Sequence, residues 1–332
     1  MMVLMPSGLL NSPSLGYGEY DQFSILDSQA RNRTGICHQY INGELDLQMD
    51  NFSIRILNET YPHFMFWNAM NQTGDQYHVR MMELVEFNDT NGDGIPQLSE
   101  EAPGQSALSL ASGTWTISSI VTENDTDDNI IALHFNYTLT GIIIPKFSGL
   151  QFQLNFHMFM DNTTISDGEV SVEVAGGQEL KFDVILSGWP WYAEGNQLAL
   201  RMDLSSNKNR HVNRWQVNNQ FSLKWQIDDG NETAYYRHHA EAIRENNTAQ
   251  SIVSVGEGFV ENGSTTSLYL VYPYFGDDEL RHDPILGLVV EPQNNGQLIP
   301  SIIDLLLHPM VLVVFTVLVL AVSVFVVRNK RS

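Results

Sequence analysis

Alternation of apolar and polar residues with a period of two is the feature that most limits the fold of this 332-residue chain. Five runs carry large apolar side chains at every second position, with mostly polar residues between them. Because successive side chains of a β-strand point to opposite faces, each run predicts a strand with one buried and one solvated face. Strands separated by turn-like clusters at about ten-residue spacing are typical of antiparallel sandwiches. The runs are 133–139, 152–160, 180–186, 198–204 and 268–274.

We therefore predict an all-β protein, a large antiparallel β-sandwich ectodomain followed by one C-terminal transmembrane helix. The length allows one large core or two ordinary ones. A boundary at the segment 141–145 would give one sandwich over 1–145 and a second over 146–300, whereas a single continuous sandwich is the other option. The segment 235–246 is interpreted as one short helix.

The membrane segment is predicted at 309–327, which reads PMVLVVFTVLVLAVSVFVV and contains no charge. As a helix, a run of this length spans roughly 30 Å, the thickness of the hydrocarbon core. The basic residues Arg328, Lys330 and Arg331 follow at once. The positive-inside rule places the tail 328–332 in the cytoplasm and the preceding residues outside the cell or in a lumen.

Glycosylation sequons distinguish this topology from its alternative, a tail-anchored protein with its bulk in the cytosol. That alternative stays open because MMVLMPSGLL at the start lacks the basic region of a signal peptide. Eleven N-x-[ST] sequons precede the membrane segment, whereas roughly three or four are expected by chance. Since glycosylation requires translocation, we predict an extracellular or lumenal ectodomain at the plasma membrane or an endomembrane. The predicted acceptors are Asn32, Asn51, Asn58, Asn71, Asn88, Asn124, Asn136, Asn162, Asn231, Asn246 and Asn262.

Charge and cysteine content exclude a nucleic-acid-binding protein and a fold held together by disulfides. The chain has 39 acidic and 17 basic residues, a formal net charge of -22. Such a surface repels phosphate backbones, so nucleic acid is excluded as a partner. Cys37 is the single cysteine, which rules out an internal disulfide framework. We predict that it is a small buried apolar side chain, and an intermolecular bridge is the alternative.

A candidate calcium loop occupies residues 89–100, DTNGDGIPQLSE, and matches D-x-[DN]-x-[DN]-G-x5-E at every fixed position. Side-chain oxygens at loop positions 1, 3 and 5 can converge on one ion, and Gly94 permits the sharp turn between them. A backbone carbonyl at position 7 and a bidentate carboxylate at position 12 complete the shell. The sequence therefore predicts Ca²⁺ held by Asp89, Asn91, Asp93, Ile95, Gln97 and Glu100.

Over these twelve residues the loop resembles the calcium loops of EF-hand and dockerin-type sites. Two features depart from a true EF-hand. Pro96 lacks the backbone N–H through which paired EF-hand loops bond to each other, and Pro103 with Gly104 leaves no room for an exiting helix. We expect a lone structural loop, located where a strand leaves the first sandwich.

Aromatic residues around Pro190 have two interpretations. Trp189, Trp191 and Tyr192 could stack on sugars or anchor an interface if exposed. Core packing at one end of the sandwich is the interpretation that we adopt.

We assign structural roles to the histidines and do not predict that they bind a metal. His134 and His157 lie at polar positions of their strands and are interpreted as solvated. His238 and Glu241 would share a face if 235–246 were helical, but a zinc site needs further ligands that the sequence does not identify. The segment 281–283 is interpreted as a polar loop with a structural ion pair.

The function predicted from these features is that of a type I single-pass cell-surface glycoprotein. Its calcium-stabilised β-rich ectodomain would serve binding, adhesion or envelope structure, with a glycan or protein as ligand. No P-loop, dinucleotide fingerprint or G-x-S-x-G elbow occurs, and no catalytic residue is assigned. The alternative is a membrane-tethered ectoenzyme acting on glycans or peptides, which two carboxylates about 5–10 Å apart in a pocket near Trp189 or Trp191 would favour.

Overall fold

The computed structural model describes residues 35–290, apart from gaps at 42, 58, 71–73, 168–169, 209–211, 216–220, 229–231 and 247–248. This part is all-β with antiparallel sheets, as the alternating runs predict. Its only helical elements are two short 3-10 turns, Leu110–Ser112 and Pro145–Phe147. In chain order the strands are β1 (Cys37–Ile41), β2 (Glu44–Gln48), β3 (Phe52–Ile56), β4 (His63–Asn68), β5 (Tyr77–Phe87), β6 (Ala107–Ser109), β7 (Thr114–Ile117), β8 (Val121–Asn124), β9 (Ile130–Thr140), β10 (Gln151–Phe159), β11 (Thr163–Asp167), β12 (Val170–Val174), β13 (Glu179–Ser187), β14 (Gln197–Ser206), β15 (Asn213–Trp215), β16 (Phe221–Asp228), β17 (Glu232–His239), β18 (Glu241–Glu245), β19 (Gln250–Ser254), β20 (Gly256–Asn262), β21 (Thr265–Tyr272), β22 (Glu279–His282) and β23 (Pro284–Val290).

Two large sheets contain most of these strands. The first has nine strands in the order β1-β2-β3-β4-β5-β14-β21-β20, with β6 beside β5. The second has twelve, with a main row β15-β16-β17-β23-β13-β10-β9-β7; β8 pairs with β9, β22 with β13, and β18 joins β22 to β19. β11 and β12 form a separate hairpin. Because β5 pairs with β14 along its length, the first sheet combines strands from before and after residue 145.

Aromatic side chains join the two sheets at the centre of the core. Phe156 of β10 stacks on Phe135 of β9, with ring centroids 4.7 Å apart. Across the core its ring centroid lies 5.4 Å from that of Phe64, which belongs to β4 of the first sheet. The apolar positions of all five predicted runs are buried, except that Met160 and Tyr274 at the run ends are half-buried. The predicted strands and their inward faces are therefore confirmed.

The helix predicted over 235–246 is wrong, because this segment forms β17 and β18. β17 pairs with β23 from Glu232↔Val290 to His238↔Pro284. Ala234, Tyr236 and His238 are buried at alternate positions, so the segment follows the strand period. Sheet pairing gives each backbone group a partner and buries alternate side chains, which overrides the local helical preference of its Ala, Glu and Arg residues.

A small apolar cluster covers part of the outer face of the second sheet. Val172 and Val174 of the β11–β12 hairpin pack with Ile243 of β18 and Ile285 of β23. Ile285 is the cross-strand partner of Lys181 in β13. The hairpin therefore packs beside charged residues of the sheet and reduces their contact with water.

Cys37 is half-buried in β1, at one end of the first sheet, rather than fully buried as predicted. No helix among the described residues is long and apolar enough to cross a membrane. The predicted span 309–327 and tail 328–332 lie outside the described residues, as do the sequon residues Asn32, Asn58, Asn71 and Asn231.

Candidate metal site

The loop 89–100 begins directly after β5 and returns to it. The backbone N–H of Asn88 donates to the carbonyl of Glu100 over 2.8 Å, and Phe87 and Glu101 form an isolated antiparallel bridge. The two ends of the loop are therefore fastened together beside a strand of the core. Leu98–Glu100 form a turn, with no helix in the described residues on either side of the loop.

Backbone amides hold the first carboxylates of the loop in place. Asp89 accepts from the N–H of Gly92 at 2.8 Å through Oδ1 and from that of Gly94 at 3.0 Å through Oδ2. Asp93 Oδ1 accepts from the N–H of Ile95 at 2.8 Å. Gly94 has φ of 69° and Gly92 has φ of 75°, a left-handed conformation that glycine adopts without steric cost. The glycines of the motif thus allow the chain to wrap around its own acidic side chains.

Three carboxylates converge within the loop. Asp89, Asp93 and Glu100 each present an oxygen within 4.8 Å of the other two. Glu100 is 7% exposed; its Oε1 accepts from the backbone N–H and hydroxyl of Thr90, at 3.1 and 2.6 Å. Its Oε2 is buried and has no hydrogen-bond partner. Because a buried charged oxygen without a partner is costly and like charges repel, a bound cation would stabilise this arrangement.

The remaining predicted ligands surround Asp93 on the exposed side of the loop. The Asn91 amide donates to Asp93 Oδ2 at 3.0 Å, while its Oδ1 accepts from the Asp93 backbone at 2.9 Å. Gln97 Nε2 donates to the same Oδ2 at 3.1 Å. Ile95 lies between them in the chain and can offer its carbonyl. Oxygen donors of this number and kind suit Ca²⁺, which takes six to eight oxygen ligands.

The tryptophan segment forms one end of the sandwich. Trp189 is buried, with its ring centroid 4.9 Å from that of Phe147. Trp191 is half-buried, with its ring edge-on to Phe275. Only Tyr192 among these aromatics is largely exposed, at 60%. The segment therefore contributes mainly to packing and does not form an open aromatic platform.

Glu86 is a structural residue that sequence reasoning missed. It is fully buried in β5 and accepts hydrogen bonds from the Trp189 indole at 3.3 Å and the Asn196 side chain at 2.7 Å. The backbone N–H of Tyr192 also donates to it, at 2.7 Å. Its carboxylate thus organises the loop between β13 and β14, and nothing in the local sequence distinguishes it from a solvated strand residue.

A chain of polar contacts crosses the outer face of the second sheet. Lys181 is 2% exposed and binds both Asp183 and Asp283, the latter at 2.7 Å. Asp183 contacts His157 Nε2 at 3.2 Å, and His157 contacts His134 with 2.9 Å between their Nδ1 atoms. The two histidines are half-buried in this network rather than solvated as predicted. Arg281 and His282 belong to β22 and not to a polar loop as predicted. Asp283 does make an ion pair, with Lys181 and not with a neighbour in its own segment.

His238 takes part in a second buried contact. Its Nε2 meets the carboxylate of Glu257 in β20, and its Nδ1 contacts the His239 carbonyl at 2.8 Å. His282 contacts the same carbonyl through Nε2, also at 2.8 Å. Since 235–246 is not helical, Glu241 does not share a helix face with His238 and pairs instead with His239 at 3.9 Å.

An acidic groove of about 600 Å³ includes Ser187, the last residue of β13, which precedes the tryptophan segment in the chain. Arginines already pair with most of its acids. Arg244 binds Asp278 at 2.5 Å, and Arg281 lies 3.1 Å from Glu279 and 3.7 Å from Glu245. The groove is lined by Ser187, Glu245, Asn246, Asp277, Asp278, Glu279 and Arg281.

No protein-family model matches this chain, and no curated protein sequence does. Solved structures with weak similarity to the chain include the following two. An α-mannosidase from Enterococcus faecalis V583 aligns with 74% of the chain at 8% identity and a TM-score of 0.36. A protein assigned as a kojibiose phosphorylase from the human microbiome aligns with 76% at 9% identity and a TM-score of 0.28. The chain spans less than a third of either structure, 29% and 31%, and similarity at these scores assigns neither family nor function.

Proposed function

We propose that this chain is a type I single-pass cell-surface glycoprotein whose β-rich ectodomain is stabilised by Ca²⁺ and serves binding, adhesion or envelope structure. The membrane anchor rests on the charge-free segment 309–327 and the basic residues after it. The proposal assigns the ion a structural role, because the loop has no flanking helix in the described residues whose movement could act as a switch.

The buried Oε2 of Glu100 is the observation that carries the calcium assignment. It faces no hydrogen-bond donor, and two further carboxylates present oxygens within 4.8 Å of this side chain. An acidic turn that functions without an ion has no reason to bury a carboxylate oxygen away from water and from donors. The spacing of the motif and the burial of its last residue are independent and support the same ion.

Exposure of the sequons supports the glycoprotein assignment. Six of the seven sequon asparagines in the described part are exposed, and Asn136 is half-buried. An acceptor asparagine must be accessible, and a bulky glycan must project into solvent. The six exposed residues are Asn51, Asn88, Asn124, Asn162, Asn246 and Asn262.

The ectoenzyme alternative gains little support from the acidic groove. A glycosidase needs one carboxylic acid and one carboxylate facing its substrate. Glu245, Asp278 and Glu279 already have arginine partners, which leaves Asp277 as the one groove acid without an ion pair among the described residues. Binding rather than catalysis is therefore the function that we propose.

Thermal melts of the full chain in mild detergent test the calcium site. Outside the cell, sites with a dissociation constant of about 10⁻⁴–10⁻³ M suffice, and a tenfold excess of Ca²⁺ would add about 1.4 kcal/mol of stability. We expect Glu100→Gln and Asp89→Asn to lose this increment, because each removes a charged ligand. Glu101→Gln is the matched control, since Glu101 is the adjacent acid but does not belong to the carboxylate cluster.

The control should keep the full calcium increment. A wild-type melt that is the same in calcium and in chelator would show that 89–100 is an acidic turn. An increment that persists in Glu100→Gln would place the ion elsewhere.

A further inference from the structure

The proposed calcium loop lies against β20, the last strand in the row of the first sheet as far as the chain is described. A Cβ placed on Gly94 would be 2.8 Å from the backbone N of Gly258 and closer still to the carbonyl of Glu257. A Cβ placed on Gly258 would be 2.8 Å from Ile95 Cγ1 and would overlap the carbonyl of Gly94. The two backbones therefore touch, and glycine is required on both sides of the contact.

The contact between the loop and β20 lies at Gly258, where the strand is buried. Gly258 is buried, whereas Gly256, Val260 and Glu261 in the same strand are exposed. β20 pairs with β21 on one side only in the described part. A strand at the end of a sheet has unpaired backbone groups on its outer side and is prone to fraying and to pairing with other chains. The loop covers the face of β20 to which a side chain at position 258 would point, and so adds a contact to a strand that pairs on one side only in the described part.

Glu257, next to Gly258, connects this contact to the second sheet. Its backbone touches the loop at Gly94, while its side chain binds the buried His238 of β17. β20 belongs to the first sheet and β17 to the second. Gly258 of β20 therefore contacts the loop, and the neighbouring Glu257 contacts a buried residue of the second sheet. These two successive residues connect the loop with both sheets.

We propose that the loop 89–100 is a calcium-dependent clamp that fixes β20 and, through Glu257, its contact with the second sheet. This inference rests on the proposed calcium site. With the ion bound, the three carboxylates are drawn together and the turn at Gly94 keeps the shape that fits Gly258. Without the ion their mutual repulsion distorts the turn, and β20 loses its contact with the loop at Gly258. Ca²⁺ binding beside the end of β5 thereby limits the local opening of β20, although the two strands are far apart in the sequence.

Hydrogen exchange of the full chain in detergent, with Ca²⁺ or with chelator, tests the clamp. In the wild type we expect Ca²⁺ to slow exchange of the β20 amides by at least about tenfold, because local opening of this strand becomes less favourable. In Gly258→Ala the added methyl group separates the loop from the strand, so exchange in β20 should no longer respond to Ca²⁺. By reciprocity this variant should also bind Ca²⁺ at least about fivefold more weakly, measured by calorimetry.

Gly256→Ala is the matched control. It lies two residues away in the same strand, and its Cβ would be 3.4 Å from the Val271 Cβ, an ordinary contact. It should bind Ca²⁺ and protect β20 as the wild type does.

Three outcomes separate the clamp from the calcium site. A wild type that binds Ca²⁺ without any change in β20 exchange overturns the clamp and leaves the site intact. A wild type that does not bind Ca²⁺ overturns both. If Gly258→Ala does not fold, the wild-type exchange data and the Gly256→Ala control still decide the question.

Discussion

Lys181 lies between two aspartates on the outer face of the second sheet, and their surroundings push their pKa values apart. Burial raises the pKa of Asp283, the nearby Lys181 charge opposes this rise, and Asp183 adds to it. Burial also acts to raise the pKa of Asp183, but the hydrogen bond from His157 and the charge of Lys181 outweigh it and lower the pKa overall. One buried cation thus holds one ionised carboxylate and one that takes up a proton readily.

The pH dependence of stability should reveal Asp283. Its folded-state pKa is raised from 3.8 to about 6, so the folded protein binds this proton more tightly than the unfolded chain does. The stability that Asp283 contributes is therefore present below about pH 4 and is lost as the pH rises to about 6, a change on the order of 3 kcal/mol. Asp283→Asn should remove this loss, and urea unfolding at pH 4 and pH 7 measures it.

Asp183→Asn is the control with the opposite sign. A lowered folded-state pKa contributes stability above the unfolded value that is lost as the pH falls below about 4. This variant should therefore be less stable than the wild type at pH 7, and the difference should shrink in acid. If Asp283→Asn keeps the wild-type dependence between pH 4 and pH 7, the assignment of the protonated carboxyl is wrong.

Single residues differ in how far the sequence predicts their roles. Lys181 and Asp183 occupy the polar positions of an alternating run, so their place on the outer face follows from the period. Their partner Asp283 comes from another strand, and no local pattern connects the two. The calcium motif is the opposite case, because its ligands are close in sequence and their spacing alone predicts the cluster of Asp89, Asp93 and Glu100.

At the scale of elements, strands with strict alternation were predictable and strands with mixed faces were not. In β9 and β10 the inward residues are all apolar. Phe135 of β9 and Phe156 of β10 are paired across the two strands, and both side chains are buried. In β17 the buried residues include His238, which has a hydrogen-bonding partner far along the chain. A buried histidine counts as polar in the sequence, so the period of two is hidden there and the pattern favours a helix.

Cross-strand packing of Tyr235 on Gly287 offers a test of the β17–β23 pairing. The two residues are directly opposite, and a Cβ on Gly287 would lie 2.6 Å from Cε2 of Tyr235. The Tyr235 hydroxyl binds Glu179, which also holds Arg237 at 2.8 Å, so the ring cannot move aside without breaking this contact. Gly287→Ala should therefore destabilise the fold by about 1–3 kcal/mol, as overpacking does, measured by urea unfolding.

The sign of this change is informative. Alanine in place of glycine normally stabilises a strand by about 0.4–1 kcal/mol through the unfolded chain, and Gly256→Ala, whose methyl group would make only ordinary contacts with Val271, should be neutral or stabilising. A Gly287→Ala variant as stable as the wild type would mean that Tyr235 does not cover this glycine in solution.

At the scale of the whole molecule, the two sheets explain how a large β-rich domain can form without disulfides. Buried residues from both sheets belong to one main cluster, and a core of this extent offsets the ordering entropy of the chain without covalent links. The acidic residues in excess over basic ones then remain for the surface, where dissolved cations screen their repulsion. The clamp at β20 and the glycans would act on the same surface, since Asn262 ends that strand.

Orientation in the membrane is the prediction on which the proposed function depends most. In cells that express the full chain, external protease should cleave the ectodomain, and an N-glycan-removing enzyme should increase the mobility of the chain on gels. The reason is that the exposed sequons are accessible to the glycosylation machinery only after translocation. Glycopeptide mass spectrometry should find high occupancy at exposed sites such as Asn124 and Asn162, and the lowest at the half-buried Asn136. Permeabilised cells provide the control for protease activity. A chain that is protected in intact cells and keeps its mobility after enzyme treatment would establish the tail-anchored cytosolic alternative.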